Sequence, residues 1–172
     1  MKSWPRYPVI YEINTWVWLQ ELSQKHKSPV TLANVPGEEW NSIAVLEVDA
    51  VWLMGVWERS PAGIAIANQN QGLVEDFRRA LPDYQTEDNV GSPYCVRQYR
   101  VDEHLGGPQG LAVARKELAQ RGLQLILDFV PNHVAPDHPW IMHRPEYFIQ
   151  GNTDDARNDP ASFVETGGKV FA

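Results

Sequence analysis

The chain has 172 residues, 43% of them apolar and seven of them tryptophan, which is enough for one sizeable core and excludes a disordered chain. A formal net charge of −7 and a pI near 5.2 exclude the basic surface that nucleic-acid and anionic-membrane binders need, and favour a neutral or cationic small ligand. The single cysteine, Cys95, excludes an internal disulfide, Pro5 and Pro8 interrupt the N-terminal stretch where a secretory signal would lie, and no segment approaches the roughly 20 apolar residues of a membrane span; a soluble, cytoplasmic protein is expected.

In chain order, Val9 to Leu19 (VIYEINTWVWL) is rich in β-branched and aromatic residues and reads as a first strand. Glu38 to Leu46 follows Pro36 and sets Trp40, Ile43, Ala44 and Glu47 at helical spacing. Ala50 to Trp57 (AVWLMGVW) is apolar on both faces and reads as a second strand. Glu58 to Val90 reads as a long connection carrying one short helix, Val74 to Leu81. Gln109 to Arg121 places Leu111, Ala114, Arg115 and Leu118 on one helical face and is closed by Gly122. Leu123 to Val130 (LQLILDFV) reads as a third buried strand, ending in Asp128 just before Pro131, Asn132 and His133.

Strands alternating with helices are the grammar of parallel βαβ units. Doubly wound sheets and (β/α)8 barrels both fit, but neither MGVWERSP nor DFVPNHV carries the spaced glycines of a dinucleotide site. A barrel is favoured, with polar groups delivered at the C-terminal ends of its strands. No internal repeat or low-complexity tract is present beyond that alternation.

Taken together, YEINTWVWL, AVWLMGVWERSP, GSPYCVRQYRVDEHLGG and LILDFVPNHV resemble, in order and spacing, the N-terminal part of the catalytic barrel of glycoside hydrolase family 13, the α-amylase family. DFVPNH matches that family's first signature region on the third strand. The resemblance implies an α/β chain with about three βα units of a TIM barrel, a long loop after strand 2, and residues 1–172 forming one partial domain that stops in the connection after strand 3. It further implies a retaining glycosidase or transglycosylase acting on α-linked glucans or oligosaccharides, without a cofactor. The three catalytic acids of the family lie on later strands, so no catalytic residue is expected within this chain. A non-enzymatic relic, or a module that binds sugars or pairs with another chain, is the alternative. If the protein is really this short, its open sheet edges predict self-association.

Carried over by position, Tyr94 matches the tyrosine that stacks on the sugar ring and His133 the histidine that donates to a sugar hydroxyl, while Asp128 and Asn132 match residues that organise the pocket floor. A buried carboxylate at Asp128 needs an arginine or several donors, and the family's arginine comes from the fourth strand. Gln98 departs from the resemblance, since an aspartate usually stands there. Asp102, His104, Asp137 and His138 lack the spacing of a zinc or calcium loop and read as solvated loop charges, so no metal is expected. Asp154, Asp155, Arg157 and Asp159 read as an exposed loop; Trp16, Trp18, Trp52 and Trp57 as core packing within strands; and Cys95 as a thiol with no partner that would make it a nucleophile.

Overall fold

A computed structural model describes residues 4–172; the first three residues of the N-terminal stretch considered above for a secretory signal lie outside the described residues. Along the chain run β1 (Ile10–Asn14), α1 (Thr15–His26), α2 (Gly37–Ala44), β2 (Ala50–Met54), β3 (Trp57–Arg59), α3 (Pro61–Gln69), α4 (Gln71–Ala80), β4 (Val96–Val101), α5 (Gly107–Gln120), β5 (Gln124–Ile126), α6 (Pro139–His143), β6 (Gln150–Gly151), α7 (Thr153–Asn158), β7 (Val164–Thr166) and β8 (Lys169–Phe171). They fall into two compact units, one of residues 1–58 with 99–130, the other of 59–98 with 131–172. β3 and β4 pair in a two-stranded sheet.

The first unit is built on a parallel sheet ordered β1-β2-β5, with Ile13 opposite Leu53 and Val51 opposite Leu125. Its central strand is the most buried: Ala50, Val51 and Leu53 are closed to solvent, as a strand flanked on both sides and covered on both faces must be. Helices α1, α2 and α5 supply Leu19, Leu22, Trp40, Ile43, Ala114 and Leu118 to the same core. The edge of Trp40 meets Trp18 at 5.1 Å between ring centroids, a favoured aromatic geometry.

Helix α5 forms as its sequence requires. Ala114 and Leu118 are buried, Leu111 is half-buried, and Gly122 at φ +73° ends the helix. The Leu123 amide then donates to the Leu118 carbonyl and the Gly122 amide to that of Ala119, the paired bonds of a Schellman cap. Arg115 is exposed and does not share the buried face.

Three strand expectations are corrected. The first strand stops at Asn14, whose side chain accepts the Val17 amide and starts α1. Thr15, Leu19 and Leu22 then fall on one buried helical face, so Trp16 and Trp18 belong to a helix. The second strand is interrupted at Gly55, at φ +78°, a left-handed conformation that favours glycine; β3 resumes at Trp57. The third strand pairs only over Gln124–Ile126, where all three residues are half-buried. It has a ladder partner on one side alone, among the described residues. Helix α2 starts one residue earlier than expected and ends at Ala44, leaving Glu47 outside it at φ +57°.

In the second unit, the single helix expected after β2 is replaced by two. Ser60 accepts the Gly63 amide and Pro61 occupies the first turn of α3; Asn70 then accepts the Leu73 amide and opens α4. The C-terminal part carries a small antiparallel sheet ordered β6-β8-β7. Thr166 faces Lys169 across a two-residue turn, Gly167 at φ +58° and Gly168 at φ +73°; two successive positive φ values make the tight hairpin that only glycine-like residues enter cheaply. The acidic run expected as a loop includes the short helix α7, exposed but capped by Asn152 through the Asp154 and Asp155 amides.

Candidate functional site

Asp128 belongs to the first unit, and Tyr94, Asn132 and His133 to the second. Asp128 follows β5 with 8% of its surface exposed. Its Oδ1 accepts from the Trp52 indole Nε1 at 2.8 Å, and its Oδ2 from the Gly55 amide at 2.6 Å. Two N–H donors therefore meet the requirement for several partners, and no arginine pairs with Asp128 among the described residues. The Trp57 indole donates to the Asp128 carbonyl at 2.9 Å. Trp52 and Trp57 thus hold the segment that follows β5, while Trp16, Trp18 and Trp57 lie against the core.

In the second unit Tyr94 stands in a tight turn, its amide on the Ser92 hydroxyl at 3.2 Å, with 42% of its surface exposed. That exposure is not that of a core tyrosine. His133 is exposed, and its Nε2 lies 3.1 Å from the Tyr94 carbonyl. Because a carbonyl only accepts, Nε2 is the donor in this bond. Asn132 is exposed. Gln98, the departure from the family pattern, is half-buried in β4.

Asp137 and His138 are not solvated loop charges. Asp137 accepts the Ser60 hydroxyl at 2.6 Å and the Ala62 amide at 3.3 Å, placing its negative charge at the N-terminus of α3. Burial holds the His138 imidazole below its ordinary titration range, against the opposing charge of Asp137. Its Nδ1 accepts the Trp140 amide at 3.1 Å and caps α6. Burial likewise raises the Cys95 thiol, against a lowering hydrogen bond with Ser60 and with a further rise from Asp137, which keeps it protonated and a poor nucleophile. Beside these groups lies a cavity of about 620 Å³ walled mainly by apolar residues such as Ile66, Ile141 and Val164; Tyr94, Asn132 and His133 do not line it.

Among the described residues, His26, Glu38 and Glu39 group their ligand atoms closely enough for a metal ion. Glu39 Oε1 is already taken by the Lys25 ammonium at 2.6 Å and His26 Nε2 at 2.8 Å. Both carboxylates also stand in the first turn of α2, whose dipole disfavours a cation. The group is an ion-paired helix junction.

No protein-family model matches the chain. Among curated proteins it is 23% identical over 104 residues to the mouse (Mus musculus) amino acid transporter heavy chain SLC3A1, covering 60% of this chain and 11% of that protein. Among solved structures it is similar to isomaltulose synthase from Klebsiella sp. LX3, at 15% identity and a TM-score of 0.58, covering 98% of this chain and 29% of that one. Similar also are Bacillus licheniformis trehalose-6-phosphate hydrolase, at 16% identity and a TM-score of 0.58 over 99% of this chain and 28% of that one, and an α-amylase from Lactobacillus plantarum, at 18% and 0.52 over 86% and 28%. The chain spans about a tenth of the curated relatives it matches and under a third of these solved structures. No helix is long and apolar enough to cross a membrane among the described residues. The parallel β1-β2-β5 sheet with its helices is the fold of the N-terminal part of an α-amylase-type (β/α)8 barrel, which bears out the resemblance carried by the sequence.

Proposed function

We propose that residues 1–172 form the N-terminal, sugar-binding part of a cytoplasmic α-amylase-family enzyme that acts on α-linked glucans or oligosaccharides with retention of configuration, its catalytic acids lying on strands beyond this chain. The observation that carries this reading is the hydrogen bond from His133 to the Tyr94 carbonyl, which joins two residues 39 positions apart that the resemblance assigns to one sugar ring. The roles of Asp128 and Asn132 as residues that organise the pocket floor rest on the resemblance alone. Hydrolysis and transglycosylation both remain within the reading, since the similar structures include hydrolases and a synthase. A second reading, a non-catalytic chain that pairs with another subunit or with itself, is favoured by the likeness to a transporter heavy chain.

The intact mass of the native protein separates the two. A mass well above 19.5 kDa with α-glucosidic turnover supports the enzyme; a 172-residue product that self-associates without turnover supports the second reading and overturns the first. In the longer enzyme, Tyr94→Ala and His133→Ala are each expected to lower kcat/KM by one to several orders of magnitude, about 2 to 4 kcal/mol of transition-state binding. Wild-type turnover in both variants would show that these residues do not bind the sugar.

A further inference from the structure

The ladder of β5 stops at Ile126, yet the chain runs on to Val130 within the same unit. Side chains take over where strand pairing ends. The Trp57 indole donates to the Asp128 carbonyl at 2.9 Å. The Tyr99 hydroxyl accepts the Val130 amide at 2.8 Å and donates to the Val130 carbonyl at 3.1 Å, so one phenol satisfies both backbone groups of one residue. The Asp128 carboxylate is fixed through both oxygens, by the Trp52 indole and by the Gly55 amide presented in the turn after β2. Trp57 and Tyr99 meet edge to face at 5.4 Å between centroids, and Tyr99 and Phe129 at 5.9 Å. The donors to the carboxylate are N–H groups without titratable protons in the physiological range.

We propose that Trp52, Trp57 and Tyr99 are positioning residues, an aromatic clamp that orients the Asp128 carboxylate and the Asp128–Val130 main chain without an arginine. Its link to sugar binding rests on the function proposed above. The clamp acts on sugar only through Asp128 and through Val130, the residue that precedes Pro131, Asn132 and His133 in the chain. A carboxylate held by a rigid indole and a main-chain amide keeps one orientation, whereas one paired with a flexible ammonium does not.

The test uses the 172-residue protein. In proton–nitrogen NMR spectra, the Trp52 and Trp57 indole protons are expected to exchange slowly with solvent, and Asp128→Asn to shift the Trp52 indole and Gly55 amide signals while leaving the rest of the spectrum in place. Trp52→Phe, which keeps a ring and removes the donor, is expected to weaken maltotriose binding about tenfold, as Asp128→Asn does, with the double variant no weaker than either single one. Additive losses, or maltotriose affinity unchanged in Trp52→Phe, would overturn the positioning role. If wild-type protein binds no maltotriose while the indole protection and the Asp128→Asn shifts are present, the sugar reading fails and the clamp stands. Indoles that exchange like exposed tryptophans overturn the clamp whatever the protein binds, and that measurement needs no variant.

Discussion

Asp128 and Glu39 are two carboxylates of the same unit, each 8% exposed, held by opposite means. Glu39 sits between the Lys25 ammonium and the His26 imidazole, where hydrogen bonds to Lys25 first and His26 second hold its carboxyl below the ordinary range. Asp128 has no charged partner among the described residues and is held by an indole and a main-chain amide. The difference lies in what remains when the carboxylate is removed. Around Glu39 it leaves groups that water can reach, since the Lys25 side chain is 61% exposed; around Asp128 it leaves a buried main-chain amide and the N–H of a half-buried indole.

The largest effect is therefore expected at Asp128. Asp128→Ala strands two donors and opens a small void, a cost of about 3 kcal/mol in urea unfolding. Asp128→Asn keeps one acceptor and should recover part of that loss. Glu39→Gln, measured the same way, is expected to cost about 1 kcal/mol, because its partners rehydrate. Equal costs at the two sites would remove the distinction between them.

Titration sharpens the same contrast. The folded-state pKa of Glu39 is lowered from 4.5, so its contribution is complete above that value and is lost as the pH falls through the folded value. Glu39→Gln should flatten this acid limb of the stability curve. His138 gives a second limb in the other unit: its folded pKa lies below 6.5, so the unfolded chain binds the proton more readily and stability declines as the pH falls below 6.5. Protonation also takes the Nδ1 acceptor from the Trp140 amide, and hydrogen exchange of that amide should quicken over the same window. Exchange that does not change with pH at Trp140 would show that the cap survives protonation.

The sequence revealed α5 because Ala114, Leu118 and the closing Gly122 are local signals. It concealed the turn from β1 into α1, because aromatic and β-branched residues at Trp16, Val17 and Trp18 outweighed the cap at Asn14, the signal that could have placed it. Ser60 and Pro61 were an equally local mark of α3. The strands near the C-terminus are two or three residues long, too short to show a period. At the candidate site, the resemblance named Asp128, His133 and the Tyr94 that His133 bonds, but not the partners of Asp128. Trp52 reaches Asp128 across 76 positions, and no spacing rule connects an indole on one strand to a carboxylate beyond another.

The smallest expected effect is at Lys25. Its ammonium lies 2.6 Å from Glu39 Oε1, but its side chain is 61% exposed, so solvent and salt screen the pair and holding a long side chain in place costs entropy. Lys25→Met should lower stability by about 0.5 kcal/mol or less, and raising the ionic strength should shrink that difference further. Glu39 still keeps His26, whose side chain is only 25% exposed. A loss as large as that of Glu39→Gln would mean that Lys25 alone neutralises the carboxylate, and the junction would then depend on one charge pair as fully as Asp128 depends on its two donors.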